Sequence, residues 1–342
     1  ERIVLAFDVL PPTEGEESAL VQRTKKQAES KKKKRGKQGL KGGSPSDAEI
    51  NNLMQHYQSG KFGEAEELAI SITEKFPEHQ FGWKVLGGIL WQSGRGSEAI
   101  EANQRALQLV PQDAEAHNNL SVMLKQLGRL VEAEASSRQA ILLKPDFPEA
   151  HINLGIALQA LGRLEEAEES HRQAIILKPD LVEAHSNLGS TLSALGRLVD
   201  AEASYRQVIA LKPEYPKAHN LLGITLKKIG RLEEAEASYR QAITLKPNYP
   251  EAYNNLSEAL QEQTRLEEAE ASLRQAIDLK ADFAVAFWNL GGIEKTIKGA
   301  EHWIDECLIA EPDHQQARLM KAALRFYQGD RAHYDNLMKS ES

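Results

Sequence analysis

GRLVEAEASSRQAILLKPDFPEAHINLGIALQAL occupies residues 128–161, and GRLEEAEESHRQAIILKPDLVEAHSNLGSTLSAL follows it directly at 162–195. The two match position by position at a period of 34 residues, and further copies start at Gly196 and Gly230, each closing its second half on a Lys-Pro pair. A fixed period of this length is the mark of a solenoid, in which each unit packs only on its neighbours. Units laid end to end begin at 46, 80, 114, 148, 182, 216 and 250, with a shortened eighth from Ala284 and a terminal piece from Gln315.

Each unit encodes two helices. In the unit from 114, Ala116, Leu120, Leu124 and Leu127 recur at spacings of three and four and so share one helix face. Gly128 ends that helix, and Leu130, Ala133, Ala140 and Leu143 form the inward face of the next. Lys144 places positive charge at the second helix's C-terminus and Pro145 forbids continuation. Asp146 is the expected capping acceptor for the following helix, with Pro148 in its first turn and Glu149 three residues after the aspartate.

Small residues stand where helices must approach: Ala65, Ala99, Ala133, Ala167, Ala201, Ala235 and Ala269 lie 34 apart, and Ala106, Ala140, Ala174, Ala242 and Ala276 follow seven residues further on. This order of a large residue, Leu-Gly, two alanines and a closing proline resembles the tetratricopeptide repeat family, from residue 46 to about 330. The expectation is an all-α, right-handed α-solenoid of about eight stacked helix pairs over 46–314, capped by a helix or connector at 315–342. Thr264 in place of the turn glycine, Ala281 in place of the closing proline and the shortened eighth unit predict local irregularity between 264 and 300.

In a superhelix of stacked pairs the first helices line the concave side, so binding is expected there. The sixth position of that helix carries Asn51, Asn119, Asn153, Asn187, Asn255 and Asn289, interrupted by Val85 and Leu221. Each carboxamide offers an acceptor and two donors, enough to hold the backbone of an extended peptide without reading its side chains. The resemblance to arrays such as those of the protein O-linked N-acetylglucosamine transferases implies such a ladder. The competing reading has each asparagine bond the next helix and set the stacking. Lys125, Gln126, Ser193, Ala194, Lys227 and Lys228 vary along the same face and are candidates for specificity. The family's clamp for a C-terminal carboxylate needs a lysine four residues before the asparagine. Here those positions hold Glu115, Glu149, Glu183 and Glu251, while Lys217 precedes Leu221. His117, His151, His185 and His219 also recur, but helices stacked roughly 8–10 Å apart cannot bring two such rings onto one ion, so they read as packing residues at the position of Trp83, Tyr253 and Phe287.

The net charge of −8 divides into +5 for residues 1–45 and −13 for the remainder. The lysine-rich tail has too little apolar surface to order itself and reads as disordered, and Ile3–Phe7 resembles a short strand without partners. Its Lys31–Arg35 run could grip nucleic acid phosphates, the weaker reading beside a solvated linker. Cys307 is the sole cysteine, which excludes an intramolecular disulfide and agrees with a reducing, cytoplasmic setting. No phosphate loop, nucleophile elbow or metal-ligand motif is present, so no cofactor is expected. The sequence therefore reads as a non-enzymatic module that binds other proteins or extended peptides. The alternative is the substrate-presenting part of a larger glycosyl-, sulfo- or methyltransferase whose catalytic domain lies outside the chain.

Overall fold

The computed structural model describes residues 43–294 and 297–327, and every regular element among them is an α-helix. The tail, its basic run and the Ile3–Phe7 segment lie outside the described residues, as do residues 328–342. The chain forms two compact units that divide after Pro179. In the first, α1 (Asp47–Gln58) pairs with α2 (Phe62–Lys75), α3 (Gln80–Gln92) with α4 (Gly96–Leu109), α5 (Ala114–Gln126) with α6 (Leu130–Leu143), and α7 (Pro148–Ala160) with α8 (Leu164–Leu177). The second contains α9 (Val182–Ala194) with α10 (Leu198–Leu211), α11 (Pro216–Ile229) with α12 (Leu232–Leu245), α13 (Pro250–Glu262) with α14 (Leu266–Leu279), α15 (Ala284–Ile293) with α16 (Ile297–Ala310), and then α17 (Gln315–Tyr327). Within each unit a pair's second helix also packs on the first helix of the next pair, as an array requires.

The turn inside each pair is a backbone device. Gly128 takes φ +72°, its N–H donates to Lys125 O at 3.0 Å, and Arg129 N–H reaches back to Leu124 O at 2.9 Å. These two bonds satisfy carbonyls that the helix end would leave bare. The same pair of bonds recurs at Gly60, Gly94, Gly162, Gly196 and Gly230. It also recurs at Thr264, which holds φ +59° with bonds of 2.8 Å to Gln261 O and, through Arg265, 2.9 Å to Leu260 O. The irregularity predicted at Thr264 is thus absent, because the two bonds hold a β-branched residue in a backbone region that it rarely adopts. Thr264→Gly should raise stability by about 1 kcal/mol, the strain of a left-handed residue less the entropy of the added glycine, measured as a shifted urea midpoint at constant slope.

Two other expectations change. Asp146 does not cap α7: Phe147 stands at the cap with no side-chain bond, because the turn places the aspartate one residue too early. Asp113, one position later in its own unit, does cap, accepting from Ala116 N–H at 2.9 Å. The missing proline at Ala281 also leaves no trace; α14 stops at Leu279, and Lys280 Nζ lies 5.1 Å from the Phe283 ring centre. Lys144 over Phe147, Lys212 over Tyr215 and Lys246 over Tyr249 make the same contact, so these lysines serve the turn as well as the helix end. The shortened eighth unit does depart from the pattern: α15 has 10 residues, and its C-cap Glu294 is extended.

All seven alanines from Ala65 to Ala269 are fully buried, as are the five that follow them. Leu120 and Leu124 are buried, but Leu127 is 40% exposed at the helix end, contrary to its expected place inside. A second regularity lies 16 residues across each pair. A Cβ on Gly155, Gly189 or Gly223 would come within 2.4, 2.7 and 2.6 Å of the rings of His171, Tyr205 and Tyr239 respectively. In the unit from 114 the same two sites hold Ser121 and Ser137, their hydroxyls 2.6 Å apart, and in the unit from 46 they hold Leu53 and Ala69. A large residue on one helix is met by a small one on the other, so the gap stays filled at constant volume.

Charges tie successive pairs together on their outer helices. Arg163 donates to Glu166 at 2.6 Å and to Glu134 of the preceding pair at 2.7 Å, and Arg138 closes the ring on the same two carboxylates at 2.9 and 3.3 Å. Arg206, Glu202, Arg231 and Glu234 form an equivalent ring, and so do Arg240, Glu236, Arg265 and Glu268. Hydrogen bonds from Arg163 hold the Glu166 carboxyl below its ordinary range. Such networks stabilise more than isolated surface pairs, because each ion orders two neighbours.

Candidate functional site

The six asparagines of the repeated ladder occupy the first helix of their pairs, and three are tied to the pair before. Asn153 Nδ2 donates to Asn118 Oδ1 at 2.9 Å, Asn255 Nδ2 to Asn220 Oδ1 at 3.0 Å, and Asn289 Nδ2 to Asn254 Oδ1 at 2.9 Å. Every one of these bonds spans 35 residues, one unit plus one, so it joins the sixth position of a helix to the fifth position of its predecessor. Asn118, Asn220 and Asn254 were not singled out from the sequence, although the spacing is written there. Asn119 is buried, Asn51 is exposed, and Asn187 Nδ2 is enclosed without a hydrogen-bond partner.

The lysines on this face are engaged to different degrees. Lys125 Nζ lies 3.5 Å from Asn153 Oδ1, and Lys228 is exposed. Lys227 pairs with Glu258 and sits 3.8 Å from Glu262. Glu258 Oε1 accepts from Asn254 at 3.0 Å and from Asn289 at 3.4 Å, which joins the ladder to a charged cluster that sequence reading did not pick out. Further toward the N-terminus Lys84 meets Asp113 at 3.0 Å and Glu115 at 2.9 Å.

The repeated histidines anchor turns. Nε2 of His117, His151 and His219 lies 3.0, 3.2 and 2.9 Å from the carbonyl of Pro111, Pro145 and Pro213, and Trp83 Nε1 donates to Pro77 O at 2.9 Å in the same way. A ring N–H at this position closes the bend that begins six residues earlier. Burial lowers the pKa of His151, and its bond to Pro145 opposes that shift.

Repeat models described as tetratricopeptide repeat match residues 54–114, 114–147, 146–214 and 250–283, and one described as TPR repeat matches 225–264, together more than half of the chain. The chain belongs to the tetratricopeptide repeat family. Its architecture is that of a protein-interaction module. No curated protein matches the sequence. Among solved structures, the APC/C hetero-tetramer Cut9-Hcn1 is similar at 17% identity and TM-score 0.57 over 90% of this chain and 59% of that one, a likeness of fold alone. YrrB, described as a TPR protein with an unusual peptide-binding site, aligns at 22% identity and TM-score 0.46 over 55% of this chain and 96% of its own. A thermophilic TPR protein of Thermus thermophilus, TTC0263, aligns at 27% and 0.45 over 54% and 100%. No helix among the described residues of the tetratricopeptide array is long and apolar enough to cross a membrane.

Proposed function

We propose that this tetratricopeptide array binds extended polypeptide along its first-helix face through the asparagine ladder, with no catalytic step of its own. The observation that carries the reading is the amide-to-amide bond between successive units. Asn153 and Asn255 each commit one N–H to the asparagine of the unit before, and this fixes the plane of the carboxamide. The carbonyl oxygen and the second N–H then serve a peptide backbone without first losing rotamer freedom, the usual benefit of preorganisation. The structural role weighed from the sequence and the binding role are thereby two uses of one side chain.

The test is an array of short unstructured peptides probed with the wild-type chain and with the triple variant Asn119→Ala, Asn153→Ala, Asn255→Ala. Each lost hydrogen bond should weaken binding by about 0.5–1.5 kcal/mol, and the losses should fall on all bound peptides alike. Unchanged affinities in a variant that merely melts earlier would leave the ladder a stacking device.

A further inference from the structure

The last residue of each unit stands at the N-cap of the next first helix. In the second compact unit Tyr215 precedes α11, Tyr249 precedes α13 and Phe283 precedes α15, and all three are half-buried. Lys212, Lys246 and Lys280 place their ammonium groups 5.2, 4.7 and 5.1 Å from the respective ring centres, which fixes each ring in the turn. In the first compact unit the position passes to His79, Asp113 and the buried Phe147, so the row of half-open rings belongs to the second.

A side chain at this position reaches the fifth residue of the preceding first helix. Asp113 does so at 3.0 Å from Lys84 Nζ. Tyr249 meets Asn220 in the same way: burial and then the charge of Glu251 raise the phenol's pKa, and its hydrogen bond with Asn220 opposes them. Asn220 is the residue that accepts from Asn255 at 3.0 Å. By register Phe283 falls to Asn254, which accepts from Asn289 at 2.9 Å. The rings therefore follow the edge of the ladder, one to a rung, and Tyr215 adds a rung that carries Leu221 and no amide.

Spacing selects the ligand. First helices of successive pairs touch, α11 on α13 and α13 on α15, and packed helices stand roughly 8–10 Å apart, so rings and amides recur at about that interval. A β-strand presents one face at every second residue, roughly 7 Å, and misses it. An α-helix keeps its carbonyls for itself. A polyproline II helix presents one face at every third residue, roughly 9 Å, and leaves its backbone carbonyls free to accept from an amide N–H.

From this match of periods we infer that the second compact unit binds proline-rich segments in the polyproline II conformation, with every third residue a proline on Tyr215, Tyr249 or Phe283 and carbonyls held by Asn255 and Asn289. The inference deepens the peptide-binding reading and rests on it. Proline packs its ring on aromatic faces and arrives with its φ already set, so little freedom is lost on docking. It also brings no charge to a row of exposed ammonium groups.

Fluorescence anisotropy on three labelled peptides tests it: one with proline at every third residue, one of the same composition with proline at every second, and one with threonine for each proline. The full wild-type chain should bind the first about tenfold more tightly than either of the others, one decade of Kd. Tyr215→Leu combined with Tyr249→Leu installs the residue that Leu181 already supplies at this position, so the double variant should keep its melting temperature and bind all three peptides with one affinity. Equal binding of the three by the wild-type chain, or a preference that survives in the double variant, would overturn the aromatic row and leave the ladder standing. Binding of none would overturn the ladder reading and the row with it.

Discussion

Gly223→Leu should destabilise the second compact unit by at least about 3 kcal/mol, and Tyr239→Ala in the same chain should restore much of that loss. A Cβ at Gly223 falls 2.6–2.9 Å from three ring atoms of Tyr239, inside any tolerable contact, and Tyr239 has no room to withdraw because it is fully buried. Overpacking of this kind costs roughly 1–3 kcal/mol when the neighbour yields and more when it cannot. Tyr239→Ala alone leaves a cavity and should cost about 3–5 kcal/mol. The double variant recreates the arrangement of Leu53 against Ala69 in the first pair. Urea unfolding of the four chains should therefore give a coupling above about 2 kcal/mol, and additivity within about 0.5 kcal/mol would mean the two sites do not share one volume.

Acidification should loosen the first compact unit well before it protonates the carboxylate rings. His171 fills the place of Tyr205 and Tyr239, is fully buried against Gly155, and neither ring nitrogen has a partner. Burial alone lowers its pKa to about 4 from an ordinary 6.5. The unfolded chain binds a proton that the folded chain refuses across that window. The contribution of His171 is thus complete above the unfolded value and declines as pH falls through 6 toward 4, by about 3 kcal/mol in all. The buried position of His171 makes this a property of the core, unlike the exposed rings, whose depressed glutamates respond only further down. His171→Tyr should flatten the stability profile between pH 6.5 and 4, because Gly155 leaves the same space that Gly189 and Gly223 leave for tyrosines. A profile of unchanged slope in that variant would assign the loss elsewhere, with His151 the next group to replace.

Much of this was legible in the sequence. The period, the buried alanine rows and the six turn glycines all follow from steric rules that act on single residues. What could not be read were properties of pairs. Asn153 shows nothing of its partner until Asn118 of the preceding unit's first helix is placed beside it, and Gly155 shows nothing of His171 until the helices cross. Thr264 misled because two backbone bonds outweigh the preference of one side chain. Asp146 misled because a shift of a single residue takes a carboxylate out of reach of the N–H groups it would cap. At the candidate site, the ladder came from the sequence, but the cluster of Lys227, Glu258 and Glu262 needed the contact between neighbouring units.

The four-charge rings are assembled half from one unit and half from the next, and the halves at Arg138/Glu134, Arg206/Glu202 and Arg240/Glu236 are chemically the same. Any such unit therefore fits behind any other. A copy of residues 230–263 inserted after Gln263 would present its own Arg231 and Glu234 to the Glu236 and Arg240 before it, and would find the sockets it already knows. Recombination between repeats can then lengthen or shorten the gene in whole 34-residue units without a mismatched seam, so reach along a partner becomes a quantity that inheritance adjusts by copy number.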